Sequence, residues 1–148
     1  MISKKTKYAL KAMVTLAEEY AHHQPVLIEK IAGSNRTPKK FLELILLELK
    51  NKGILRSKKG KGGGYFLAKP PAQISLGSVI RSLEGPLAPL PCVSQSAYRH
   101  CEECRDEESC GIRMVMSEVR DATAKILDGT TFQDVLERSK MPCEMYFI

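Results

Sequence analysis

The segment from Ile54 to Ala68 constrains this chain more than any other. Two short runs of β-type residues, Ile54–Ser57 and Tyr65–Ala68, flank Lys58–Gly64, a linker with four glycines and three lysines. So many glycines rule out a helix, and their freedom at positive φ suits a tight reversal. The expectation is a two-stranded hairpin with a basic tip. Pro70-Pro71 closes the unit.

Helical patterns precede the hairpin. Over 6–22, Ala9, Ala12, Met13, Leu16, Ala17 and Tyr20 recur at helical spacing. Leu27–Ala32 is short and apolar, with Gly33 suited to a helix end and Ser34-Asn35-Arg36 read as a turn. Thr37-Pro38 supplies an N-cap and an N1 proline for a third helix to about Lys52, with Phe41, Leu42, Ile45, Leu46 and Leu49 inward. Three helices and a wing make a winged helix-turn-helix over residues 1–71. Beyond it, 76–84 reads as a short helix and 85–110 as a Pro- and Cys-rich loop without period. Residues 111–128 form an amphipathic helix with the stripe Ile112, Val115, Met116, Val119, Ala122, Thr123 and Ile126. Thr131 and Asp134 read as a capping-box start for a last helix. The fold class is mainly α with a small β-hairpin, divided as 1–71, 72–110 and 111–148.

Charge separates the two halves of the chain. Residues 1–70 hold 15 Lys/Arg against 5 Asp/Glu, and residues 71–148 hold 8 against 12. A basic half carrying a winged helix suggests a polyanionic partner, double-stranded DNA. The residues placed to meet it are Thr37, Lys39, Lys40 and Glu43 at the start of the third helix. Arg56, Lys58, Lys59 and Lys61 join them on or beside the wing. A plain solvated face is the competing reading. The 43% apolar fraction supports a real core, and no long uninterrupted apolar stretch suggests a membrane span. The N-terminus lacks the pattern of a signal peptide, so a cytoplasmic protein is expected. No nucleotide-binding glycine motif or catalytic constellation stands out, which argues against an enzyme.

Four of the five cysteines, Cys92, Cys101, Cys104 and Cys110, fall in the irregular loop, and Cys143 stands alone near the C-terminus. Thiolates in such a cluster suit an iron–sulfur group ([2Fe–2S] or [4Fe–4S]) or zinc. A cluster-free thiol switch uses the same residues. His100 is a reserve ligand. The acidic run Glu102, Glu103, Asp106, Glu107 and Glu108 reads as solvated.

The stretch Phe41 to Leu55, followed by Gly60-Lys-Gly-Gly-Gly-Tyr-Phe-Leu-Ala, resembles a bacterial family of winged-helix transcription regulators. That family includes the repressor of iron–sulfur cluster assembly and the nitric-oxide-sensing repressor. Tyr8-Ala-Leu and Leu127-Asp-Gly-Thr-Thr-Phe-Gln-Asp-Val-Leu fit it too, so the likeness spans about 1–138. The resemblance implies a homodimer joined by the helix after the cysteines, a palindromic operator and, as the commoner role, repression. It also implies an iron–sulfur cluster on three loop cysteines, which Cys92, Cys104 and Cys110 match best. Cys101 is additional here, and Arg113 stands where one member carries a histidine. The fourth ligand is thus open between Cys101, His100 and a residue from the partner's first helix.

Overall fold

The computed structural model describes residues 2–141; Cys143 and its apolar neighbours lie outside the described residues. Helix α1 (Lys4–Glu18) starts at Ser3, whose hydroxyl accepts from the Thr6 backbone N–H. This cap lies earlier than the periodicity suggested. A single 3-10 turn, Tyr20–His22, follows α1 where a continuous helix to 22 was expected. Helix α2 (Ile28–Asn35) runs through Gly33 and ends at Arg36, which takes the left-handed conformation (φ 49°). Gly33 therefore does not terminate the helix, and Ser34 and Asn35 are helical rather than a turn. The Asn35 side chain explains the extra length. Its amide donates to the Ile31 carbonyl at 2.9 Å and to the Thr15 hydroxyl at 3.0 Å, fixing α2 on α1.

Helix α3 (Lys39–Asn51) buries Leu42, Ile45, Leu46 and Leu49. Phe41, expected inward, is instead partly exposed and packs edge-to-face on Tyr8 of α1 at 5.8 Å. Strands β1 (Leu55–Lys58) and β2 (Gly64–Leu67) form the hairpin, with Leu55 opposite Leu67 and Lys58 opposite Gly64. Val26, just ahead of α2, adds a bridge to Tyr65 through two hydrogen bonds of 2.8 and 2.9 Å. The wing is thereby tied to the helical unit.

The wing also has no room for side chains at two glycines. A Cβ on Gly63 would sit 2.3 Å from the Lys58 carbonyl oxygen, and one on Gly64 2.3 Å from that of Val26. Gly64 additionally has φ +145°. Gly64→Ala is expected to cost about 2–4 kcal/mol through backbone strain and overpacking. Urea unfolding checks this: a midpoint equal to that of the unmutated protein would contradict the wing geometry.

Helix α4 (Leu76–Glu84) fills the predicted span. Its Glu84 carboxylate accepts from the Ser3 backbone N–H at 2.9 Å, clasping α4 to the start of α1. The Ser3 hydroxyl, then the Thr6 hydroxyl and the Ser3 N–H, hold this carboxyl down to about 2. Helix α5 (Gly111–Gly129) follows the cysteine loop, and α6 (Phe132–Lys140) starts with the expected capping box of Thr131 and Asp134. Helix α6 packs against α1. Phe132 joins Ala9, Met13, Leu42, Leu55, Ile74 and Val79 in one hydrophobic core. Among the described residues, no helix is long and apolar enough to cross a membrane.

Candidate DNA interface and cysteine loop

Of the residues of α3 and the wing expected to meet DNA, all but one are exposed. Lys39, Lys40, Glu43, Arg56, Lys58, Lys59 and Lys61 are all exposed. Thr37 is not: it is 5% exposed, its N–H donates to the Ala32 carbonyl, and its hydroxyl contacts the Asn35 carbonyl at 3.4 Å. Nor does it cap α3, whose N-cap is Pro38 without a side-chain hydrogen bond. Proline fixes φ there, and Thr37 turns inward to seal the corner between α2 and α3. Lys39 is engaged as well. It pairs with Glu29 of α2, and that hydrogen bond raises the Lys39 pKa and lowers that of Glu29. Lys40, Arg56, Lys58, Lys59 and Lys61 form no ion pair among the described residues. Arg36, not singled out from sequence, is exposed at the α2–α3 corner beside them. Its signal was its position in a helix-turn-helix turn.

The second constellation is the loop between α4 and α5. Cys110 is the N-cap residue of α5; the Cys104 thiol donates to the Asp106 carbonyl at 3.4 Å and its N–H to the Cys101 carbonyl at 3.1 Å. The Arg113 backbone N–H at the start of α5 is the main influence lowering the Cys110 pKa, with the Cys104 and Ile112 N–H interactions adding to it. This is the usual effect of a helix N-terminus on a thiol. Cys104 is shifted up, first by desolvation and then by the neighbouring Cys110 and Cys101. Cys92 is buried in a 3-10 turn, Pro91–Val93. No three metal-binding side chains among the described residues converge tightly enough to hold an ion in this conformation. The donor set nevertheless suits a soft metal: four free thiols on one loop.

Glu107 organises this loop and corrects its reading as a solvated charge. Its carboxylate accepts from the Tyr98 hydroxyl at 2.8 Å and the Cys101 N–H at 3.3 Å, and His100 Nδ1 lies 2.8 Å away. The Tyr98 hydroxyl is the main cause of its lowered pKa. His100 is thus held by Glu107. Arg120 of α5 carries no sequence signal, and Arg113, noted only as standing in place of a histidine, has a structural role. Arg113 Nε donates to the Cys92 carbonyl at 3.3 Å, and Arg120 Nη1 to the Val93 carbonyl at 2.6 Å. Both residues link the loop to the long helix.

The rest of α5 is strongly exposed. Ile112, Val115, Val119 and Ile126 are 67, 55, 44 and 63% exposed, and no residue of this helix is buried. Packing against its own domain leaves these four side chains uncovered among the described residues.

Comparison with known proteins decides the family. Residues 2–138 match the model of the Rrf2 family, described as iron-dependent transcriptional regulators. The chain belongs to the Rrf2 family. An rrf2-like helix-turn-helix regulator of Rhodobacter capsulatus is 46% identical over 138 residues, covering 92% of each chain. The Rrf2 fold is shared with the global cysteine regulator CymR of Bacillus subtilis. That structure has TM-score 0.77 and 31% identity, over 93% of this chain and 97% of that one. It is shared too with T. potens IscR, with TM-score 0.74 and 26% identity, over 99% and 96%. The resemblance noted from the glycine-rich wing is thus confirmed. This Rrf2 protein is a winged helix-turn-helix transcriptional regulator.

Proposed function

We propose that the protein is a homodimeric operator-binding repressor whose affinity is set by an iron–sulfur cluster on the cysteine loop. The observation that carries this reading is the direct attachment of that loop to α5, through Cys110 at its N-cap and through Arg113 and Arg120. Residues 1–71 serve as the DNA reader, 72–110 as the sensor and 111–148 as the dimer element.

Cys92, Cys101, Cys104 and Cys110 would hold the cluster, [2Fe–2S] or [4Fe–4S], which when bound supplies reversible electron transfer and ligand loss. The protein's part is mechanical. Gathering four thiols from one loop shortens the path from α4 to α5. Arg113 and Arg120 pass that change to α5, and across a two-fold axis it alters the angle between the two α3 helices. Half-site spacing is geometrically strict, so a small reorientation changes specific affinity. Coupling of about 1–3 kcal/mol suffices. The exposed stripe on α5 supplies the apolar surface for the dimer.

The accessible loop thiols favour a second reading, a metal-free switch in which a peroxide oxidises one thiol to a sulfenic acid and a second thiol displaces water to give a disulfide. Structural zinc on the same thiolates is a further alternative. Metal and sulfide counts separate these readings.

The DNA contact is tested by salt titration. Lys40→Ala is expected to weaken binding to a duplex and reduce the salt slope of the dimer by about 2, one phosphate contact per half-site. Lys39→Ala should have a smaller effect, since Lys39 must first leave Glu29. Unchanged affinity and slope in the double variant would remove the start of α3 from the contact surface.

A further inference from the structure

Helix α3 carries leucines on two opposite faces. Leu42, Ile45, Leu46 and Leu49 face the core. At the helical repeat, the side pointing directly away from them carries Lys40, Leu44, Leu47 and Asn51, with Glu43 at its edge. Leu44 is 65% exposed and Leu47 46%. Single exposed leucines are ordinary, but two a turn apart on the outward face of a recognition helix leave apolar surface that nothing among the described residues covers.

The surroundings of this patch select its occupant. Arg36, Lys39 and Lys40 rim it at the start of α3, Lys50 and Lys52 lie at the far end, and all are exposed. Seating the patch on a second copy of itself would bring these like charges together. The major groove offers the complement: phosphates on both rims and one apolar group on its floor, the thymine C5-methyl. We propose that Leu44, backed by Leu47, reads thymine methyl groups in the operator half-site. Lys40 then positions the helix, and Glu43 beside it accepts from an adjacent cytosine amine. The inference rests on the DNA-binding reading above and adds to it the base that an apolar contact selects.

The test uses the full-length protein, prepared anaerobically, and a duplex that it selects from a random pool. Each dT in the site is replaced in turn by deoxyuridine, which removes only the methyl. One position per half-site is expected to weaken binding about fourfold, the effect of one buried methyl group. Leu44→Ala should bind the unmodified duplex more weakly and be indifferent to that replacement, so the two changes do not add. A selected site without thymine would overturn the inference. So would unchanged binding of every substituted duplex, or an equal penalty in both proteins. These outcomes leave the DNA reading intact. A change of oligomeric state in Leu44→Gln, with no difference in uracil sensitivity, assigns the patch to protein contact and also overturns it. Failure of the unmutated protein to retain any duplex at low salt removes both readings together.

Discussion

Replacing Val115 and Val119 by glutamate should leave a folded monomer that binds its operator about 10²- to 10⁴-fold more weakly, the avidity lost when two half-site readers are uncoupled. Both side chains lie on the exposed stripe of α5 and neither belongs to the buried core, so the isolated chain is expected to stay folded. The four carboxylates brought together across a two-fold axis would instead be desolvated without partners. Light scattering reads the mass, and anisotropy on the selected duplex reads the affinity. A variant that stays dimeric would place the interface elsewhere.

Cys104→Ala should abolish the difference in operator affinity between anaerobically loaded and metal-free protein. In the unmutated protein that difference is expected to be about 5- to 150-fold, the usual range of allosteric coupling. Cys104 is chosen because it is half-buried and bonded through its N–H to the Cys101 carbonyl, whereas Cys92 is buried, where truncation would also disturb packing. The variant should still bind DNA, since its wing and α3 are remote in sequence from the loop. A variant that keeps both the chromophore and the affinity difference would strike Cys104 from the ligand set.

Local signals in the sequence were read correctly where their partners are local. The Thr131–Asp134 capping box, the span of α4 and the start of α5 all depend on residues within a turn or two. The glycine-rich hairpin is similar: its reversal follows from Gly60 to Gly64 alone, and its strands appear within one residue of expectation. Errors arose where a distant partner decides. Nothing near Val26 announces its bridge to Tyr65, and nothing near Phe41 announces Tyr8. Asn35 carries α2 past Gly33 because Thr15, twenty residues away, accepts its amide. The third helix was ambiguous for another reason. With leucine on both faces, periodicity does not show which side is buried, so Leu44 and Leu47 passed unnoticed.

The candidate site divides in the same way. Its residue types were visible as lysines, glycines and clustered thiols, but not their environments. Thr37 turns inward, Lys39 is shared with Glu29, and Glu107 collects Tyr98, His100, Cys101 and Arg113. An acidic run in isolation looks solvated, and only the fold of the loop shows that one of its members is structural.

The most direct test of the account is anaerobic purification followed by an absorption spectrum and counts of iron, sulfide and zinc. The account predicts a brown protein with visible charge-transfer bands, and iron and sulfide in matched amounts. A colourless protein with one zinc per chain would contradict it, as would one that stays metal-free after anaerobic reconstitution.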